Sequence, residues 1–191
     1  YVVAAFASYV ALDMAGRIAA SDGRASRSWL IGGAVAMGFG IWSMHFLGML
    51  AFDLPIPQGY DLAVTLYSLL IAICSAAYAL HVVSGRDLPA RKLGVAALIL
   101  GAGIATMHYV GMEAMDMQPG IDYHPGWFAL SIVIAVAAAG AALWIAFSLR
   151  REAAGVIRAR SLAALVMGVA VVGMHYTGMA AASFPEGSIC G

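Results

Sequence analysis

The sequence predicts an all-α integral membrane protein, with six transmembrane helices arranged as three two-helix repeats in a pseudo-threefold bundle. Three observations carry this expectation. The 191 residues are 63% hydrophobic and only 10% charged; a soluble domain carries about 25% charged residues, so one soluble core of this size could not hide the apolar excess. Six apolar stretches recur, each about 20–25 residues long, the length that crosses a hydrocarbon layer of about 30 Å. A six-residue phrase then occurs three times, at Met44–Met49, Met107–Met112 and Met174–Met179, in copies that start 63 and then 67 residues apart.

The stretches fall at roughly 1–20, 28–52, 60–83, 92–115, 126–149 and 160–183. Helix is expected in each, because a spanning segment must satisfy its own backbone N–H and C=O groups, and the alternation of a barrel strand is absent. Basic residues mark one set of junctions. Arg17, Arg24 and Arg27 separate the first stretch from the second, Arg86, Arg91 and Lys92 the third from the fourth, and Arg150, Arg151, Arg158 and Arg160 the fifth from the sixth. The other junctions hold no basic residue and carry Asp53, Asp61, Glu113, Asp116 and Asp122, with Glu186 after the sixth stretch. Pro55, Pro57, Pro119, Pro125 and Pro185 suit turns there, and Tyr60, Tyr123 and Trp127 suit an interfacial aromatic belt. By the positive-inside rule the basic ends are cytoplasmic. The three phrases then lie at one depth, just under the extracytoplasmic surface, at the outer ends of the second, fourth and sixth helices. One domain is expected over residues 1–191; Tyr1 begins inside an apolar stretch without an initiator Met, so the chain reads as a fragment.

Within each copy the His and the later Met are four residues apart: His45 and Met49, His108 and Met112, His175 and Met179. On a helix these share one face. Met44, Met107 and Met174 point about 100° around, toward a neighbouring helix. Gly48, Gly111 and Gly178 leave room beside the imidazole for a ligand or another backbone. Small residues at four-residue spacing, Gly32/Ala36/Gly40 and Ala97/Gly101/Ala105, let helices approach closely enough for the three histidines to meet.

Imidazole together with thioether points to a metal. His45, His108 and His175 are the leading candidate ligands, followed by Met49, Met112 and Met179 and then by Met44, Met107 and Met174. Thioether is a soft ligand that selects Cu(I), whereas zinc prefers His, Cys and carboxylate. Haem needs a flat slot that three like helices do not offer. Copper is therefore expected over zinc or haem. Asp53, Asp116 and Glu113 are candidates to orient the imidazoles from behind, or are solvated loop charges. The plain alternative for the three histidines is a metal-free polar cluster that ties helices together. His81 and His124 read as hydrogen-bonded interfacial residues, Met14, Met37 and Met167 as lipid or core contacts, and Phe46, Tyr109 and Tyr176 as packing or interfacial aromatics. Asp13, inside the first stretch, is either a functional acid or a local partner of Arg17.

Met174-His175-Tyr176-Thr177 spells the name of the bacterial MHYT domain, and the whole chain resembles that family. The first two copies depart from the four-letter motif at Phe46 and Leu47 and at Val110. The resemblance implies a sensory domain of the bacterial inner membrane that holds copper through the Met and His residues above. It also implies that a diatomic gas (oxygen, carbon monoxide or nitric oxide) is sensed at that metal, or its redox state. By the same resemblance, cytoplasmic GGDEF and EAL domains in the same polypeptide make or break cyclic di-GMP. The expected partners are thus the lipid bilayer, a diatomic gas, those signalling domains and a second copy of the chain.

Other function classes fare less well. The net charge of zero gives no field to attract nucleic acid. Cys74 and Cys190 are too few for a disulfide framework or a cysteine-based zinc cluster. No Ser-His-Asp set, paired acids or phosphate-binding glycine loop suggests an enzyme within the chain. A copper permease, an electron-transfer protein and a structural or dimerisation module are the remaining rivals.

Overall fold

The structure, a computed structural model, describes residues 1–52, 59–151, 153–185 and 189–190. Six helices follow one another: α1 (Val2–Ala19), α2 (Gly23–Leu50), α3 (Leu62–Val83), α4 (Ala90–Glu113), α5 (Pro125–Leu149) and α6 (Val156–Ala181). All six are long and apolar enough to cross a membrane, and the fold is that of an all-α six-span membrane domain. Several starts have local causes. The Asp61 carboxylate accepts a hydrogen bond from the Val64 N–H at 2.7 Å and caps α3. Pro125, which has no N–H to leave unsatisfied, opens α5. Gly155, at φ +78°, turns the chain into α6 through a backbone conformation that side chains disfavour. α2 and α6 start about four residues earlier than the apolar pattern suggests. Their first turns carry Arg24, Arg27 and Arg158, so the helix runs on past the hydrocarbon, where apolar content no longer marks it.

Each helix packs against its neighbours in the chain, and α6 closes the ring on α1. Glycine sets the closest of these contacts. Gly38, Gly101 and Gly168 each lie seven residues before a motif histidine, and a methyl there would sit 2.6 Å from Ile73 Cα, 2.7 Å from Val136 Cα and 3.0 Å from Ala5 Cα. Each even helix is thereby seated on the odd helix that follows it, with α6 seated on α1. Of the expected small-residue rows, Gly40 approaches Ala7 and Gly101 approaches Val136, while Gly32 faces open space.

The two ends of the bundle are held differently. At the basic end the odd helices contribute Leu12, Leu80 and Leu143, at most 2% exposed, to one hydrophobic cluster. Two buried arginines close that end. Arg150 donates to the carbonyls of Val83, Gly85 and Arg86 at the end of α3, with its guanidinium 3.7 Å over the Phe147 ring. Arg160 donates to Leu149 O at 3.0 and 3.1 Å and lies against Gly16, where a methyl would overlap it. Asp13 joins both sides, accepting from Arg17 at 2.7 Å and from Arg160 at 3.5 Å, so its partner on α6 adds to the expected pair within α1. At the opposite, histidine end, the α4–α5 connection and the chain after α6 form two short antiparallel ladders. Here β1 (Met117–Gln118) pairs with β4 (Ile189–Cys190), and β2 (Asp122–Tyr123) with β3 (Ala182–Ser183). Asp53, Pro55, Pro57 and Glu186 lie outside the described residues.

Candidate metal centre

The three repeated phrases bring their histidines together. His45, His108 and His175 come from the C-terminal turns of α2, α4 and α6 and are at most 1% exposed. Their rings stand nearly perpendicular to one another, with centroids 4.8 to 5.2 Å apart. The Nδ1 atoms face inward: His45 Nδ1 lies 3.1 Å from His108 Nδ1 and 3.3 Å from His175 Nδ1.

The Nε2 atoms face outward, each into a glycine of a different copy. A methyl at Gly111 would overlap His45 Nε2, one at Gly178 would overlap His108 Nε2, and one at Gly48 would overlap His175 Nε2. The repeated glycine thus makes room for the imidazole of another helix. Among the described residues none of the three Nε2 atoms has a hydrogen-bond partner. Glu113 instead accepts from the Tyr123 hydroxyl at 3.1 Å, and Asp116 is exposed, so neither acid orients a ring. Burial first, and the Glu113 carboxylate second, raise the pKa of Tyr123 and keep that hydroxyl protonated and donating.

This arrangement fits a cation. A neutral imidazole carries one N–H and one lone pair in its plane. His45 Nδ1 can therefore satisfy one of its two Nδ1 neighbours by a hydrogen bond, and not both. Three inward lone pairs around an ion leave no such conflict. A metal with M–N bonds of about 2.0–2.1 Å and tetrahedral angles sets its nitrogens about 3.3 Å apart, close to the observed separations. The His45, His108 and His175 group could hold a metal ion, with ligating atoms all within 4.8 Å of one another.

The methionines divide into two sets. Met49, Met112 and Met179 meet in one buried cluster at the histidine end, together with Met115 and Met117. Met44, Met107 and Met174 are buried outside it, Met174 against Ala105 and Ala135. Met44 shares with His175, Gly48, Leu47 and Tyr176 a surface recess of about 330 Å³. Cys190 joins the edge of the methionine cluster and donates its S–H to Met115 O at 2.6 Å, while Cys74 is exposed on α3 and both thiols are free.

The aromatic position after each histidine packs edge-on against its imidazole, with centroids 4.9 to 5.1 Å apart. Its hydroxyl does not reach the centre. Tyr109 pairs with Ser131 Oγ on α5 at 2.6 Å. Phe46 lacks the hydroxyl, and Trp42, one turn earlier, donates to Ser68 Oγ at 3.1 Å, the serine 63 residues before Ser131. The same even-to-odd bond is thus made by different side chains in the first two copies. His124 precedes α5 and is tied by its backbone N–H to Ala181 O at 2.8 Å.

Sequence reasoning placed Gly101 in a small-residue row but missed Gly38 and Gly168, although extending the phrase upstream by six residues would have revealed a glycine repeated in all three copies. Met115 and Met117 were missed because they occur in only one copy.

Comparison with known proteins extends the same repeat. The family MHYT, described as a bacterial signalling protein N-terminal repeat, matches residues 38–96, 101–159 and 168–191, segments that begin at Gly38, Gly101 and Gly168. The chain is 63% identical over 190 residues to the bifunctional diguanylate cyclase/cyclic di-GMP phosphodiesterase MucR of Pseudomonas aeruginosa, covering 100% of this chain and 28% of that protein. It is 40% identical over 191 residues to the cyclic di-GMP phosphodiesterase NbdA of the same organism, covering 98% of this chain and 24% of the relative. The signalling protein YkoW of Bacillus subtilis is 38% identical over 185 residues, covering 96% of this chain and 23% of the relative. The chain therefore spans about a quarter of the length of these relatives. No solved structure matches it. With three matches covering most of its length, the chain belongs to the MHYT family of bacterial signalling proteins.

Proposed function

We propose that residues 1–191 form a single sensory domain of a cyclic di-GMP signalling protein, in which His45, His108 and His175 hold a copper ion. The observation that carries this reading is the convergence of three buried Nδ1 atoms, two of whose separations are 3.1 and 3.3 Å. Met49, Met112 and Met179 are the next candidate ligands, then Met44, Met107 and Met174; their thioethers are the reason to name copper over zinc. When bound, copper would supply a Cu(I)/Cu(II) couple and a place for oxygen, carbon monoxide or nitric oxide to bind. The chain's own residues would exclude water from the centre and fix the three rings by packing against Gly48, Gly111 and Gly178.

The Lys/Arg distribution supports a cytoplasmic basic end, an extracytoplasmic histidine end and an inner-membrane location. Output would pass to cyclic di-GMP domains in the same polypeptide, as the names of the relatives suggest, with catalysis outside this membrane domain. The even helices meet at the triad, so a change of ligation would shift them against the odd helices. A signal follows only if two states of the bundle bind the ligand unequally.

The test is metal content by mass spectrometry on intact protein purified without chelator or His-tag, beside a His45/His108/His175→Ala triple variant. Copper near one per chain that falls to background in the variant is the expected result. Absence of copper from both after loading with Cu(I) under reducing conditions would sink the assignment and leave the imidazole cluster as a helix tie.

A further inference from the structure

Directly inward of the triad, the axis of the bundle is hollow. A cavity of about 110 Å³ lies there, and a second of about 30 Å³ continues toward the basic end; the two share Ala11, Met37, Leu100, Ala142 and Met167 in their walls. The repeat shapes this space. Ile41, Ile104 and Val171 are each four residues before a motif histidine, and Met37, Leu100 and Met167 each eight residues before one. Both sets share the histidine face of their helices. The larger cavity therefore begins one helical turn beneath the imidazoles.

Its chemistry is restrictive. No charged side chain lines the larger cavity, and Ser8 supplies the single hydroxyl. A buried water needs two to four polar partners, and apolar cavities of this size stay dry and take up small apolar guests. A water's share of liquid volume is about 30 Å³, so 110 Å³ holds a guest of only a few heavy atoms. Ala141 and Val166 line the cavity and are also exposed on the outer surface of α5 and α6, which opens it toward lipid. Small uncharged gases dissolve better in hydrocarbon than in water, so the bilayer is the richer source.

We propose that this axial cavity is a binding site for a diatomic gas taken from the membrane, held one layer of Ile41, Ile104 and Val171 away from the histidines. The proposal rests on the gas-sensing reading for its purpose, but its test needs no metal. Met37 and Met167 place reporter methyls in the wall. Intact metal-free protein labelled with ¹³C at the methionine methyls would be placed in nanodiscs. NMR relaxation would then be compared under oxygen and nitrogen pressure, with Met37→Leu and Met167→Leu for assignment.

Paramagnetic oxygen in the cavity should enhance relaxation of the Met37 and Met167 methyls well above that of Met112, which is fully buried in the methionine cluster. Ala142→Phe should abolish the excess by filling the space, and Ala137→Phe, lipid-facing on the same helix, should retain it. Far-ultraviolet circular dichroism checks that both variants fold, with Ala142→Leu giving a partial loss if Phe is not accommodated. Met37 and Met167 enhanced no more than Met112 would overturn the proposal, an acyl chain or collapsed side chains then occupying the axis. An excess that survives both Ala142 substitutions would overturn it as well. A protein that binds no copper takes down the sensor reading and leaves this outcome untouched.

Discussion

The bundle repeats one geometrical device twice, with opposite chemistry. At the histidine end the even helices converge on three imidazoles; at the basic end the odd helices contribute three leucines, Leu12, Leu80 and Leu143. The leucine layer is held by van der Waals packing, since lipid is as apolar as leucine, and it asks for no hydrogen-bond partner. In the histidine layer three Nε2 atoms lack hydrogen-bond partners among the described residues, and the inward Nδ1 atoms cannot all satisfy one another. Buried polar groups left unsatisfied cost about 1–3 kcal/mol each. The two layers are equally buried, so burial alone does not distinguish structure from function here. The unmet bonding capacity does.

Substitutions can break this contrast. The largest effect is expected in the leucine layer, where Leu143→Ala should cost about 2–5 kcal/mol. Denaturant unfolding in detergent measures it, and a loss well below that range would mean the odd helices do not depend on that layer. Gly111→Ala comes next. Its methyl overlaps His45, so a loss of about 1–3 kcal/mol is expected together with reduced copper content. Gly32→Ala, where a methyl would meet nothing beyond its own helix, should instead stabilise by about 0.5–1 kcal/mol. Tyr109→Phe removes the bond to Ser131 and should cost about 1 kcal/mol without changing copper content, which separates the tie between α4 and α5 from the centre. Replacing all three imidazoles, His45/His108/His175→Leu, in metal-free protein should change stability least, near zero or slightly upward, because apolar groups replace the whole set and leave no partner stranded. The same triple substitution should abolish copper binding. A loss of several kcal/mol without metal would make the histidine layer a second structural core and erase the contrast.

Much of this arrangement was legible in the sequence because membranes enforce it. Apolar length marked the six helices, and the triple phrase marked the histidines. The early starts of α2 and α6 were not legible, since Arg24 and Arg158 read equally well as loop or as solvated helix. Arg150 and Arg160 look in sequence like any other basic junction residues; only the fold shows them buried against the carbonyl ends of α3 and α5. The paired strands of two residues each carry no periodicity to detect. For the glycines of the phrase, the need for space was readable, but not that the occupant is an imidazole from another copy. That contact joins residues up to 127 positions apart, His175 to Gly48, and no local pattern encodes it.

The contacts between imidazole and glycine also have a direction. His45 enters the notch of the second copy, His108 that of the third, and His175 returns to the first. The three helices interlock as the leaves of an iris do, each overlapping the next around a closed circuit. Remove one leaf and the circuit opens, leaving a ring with no notch to enter and a notch with nothing in it. One or two repeats would not make a smaller version of this centre. A turn of one even helix about its axis would press its imidazole into the next, so the three would be expected to turn together.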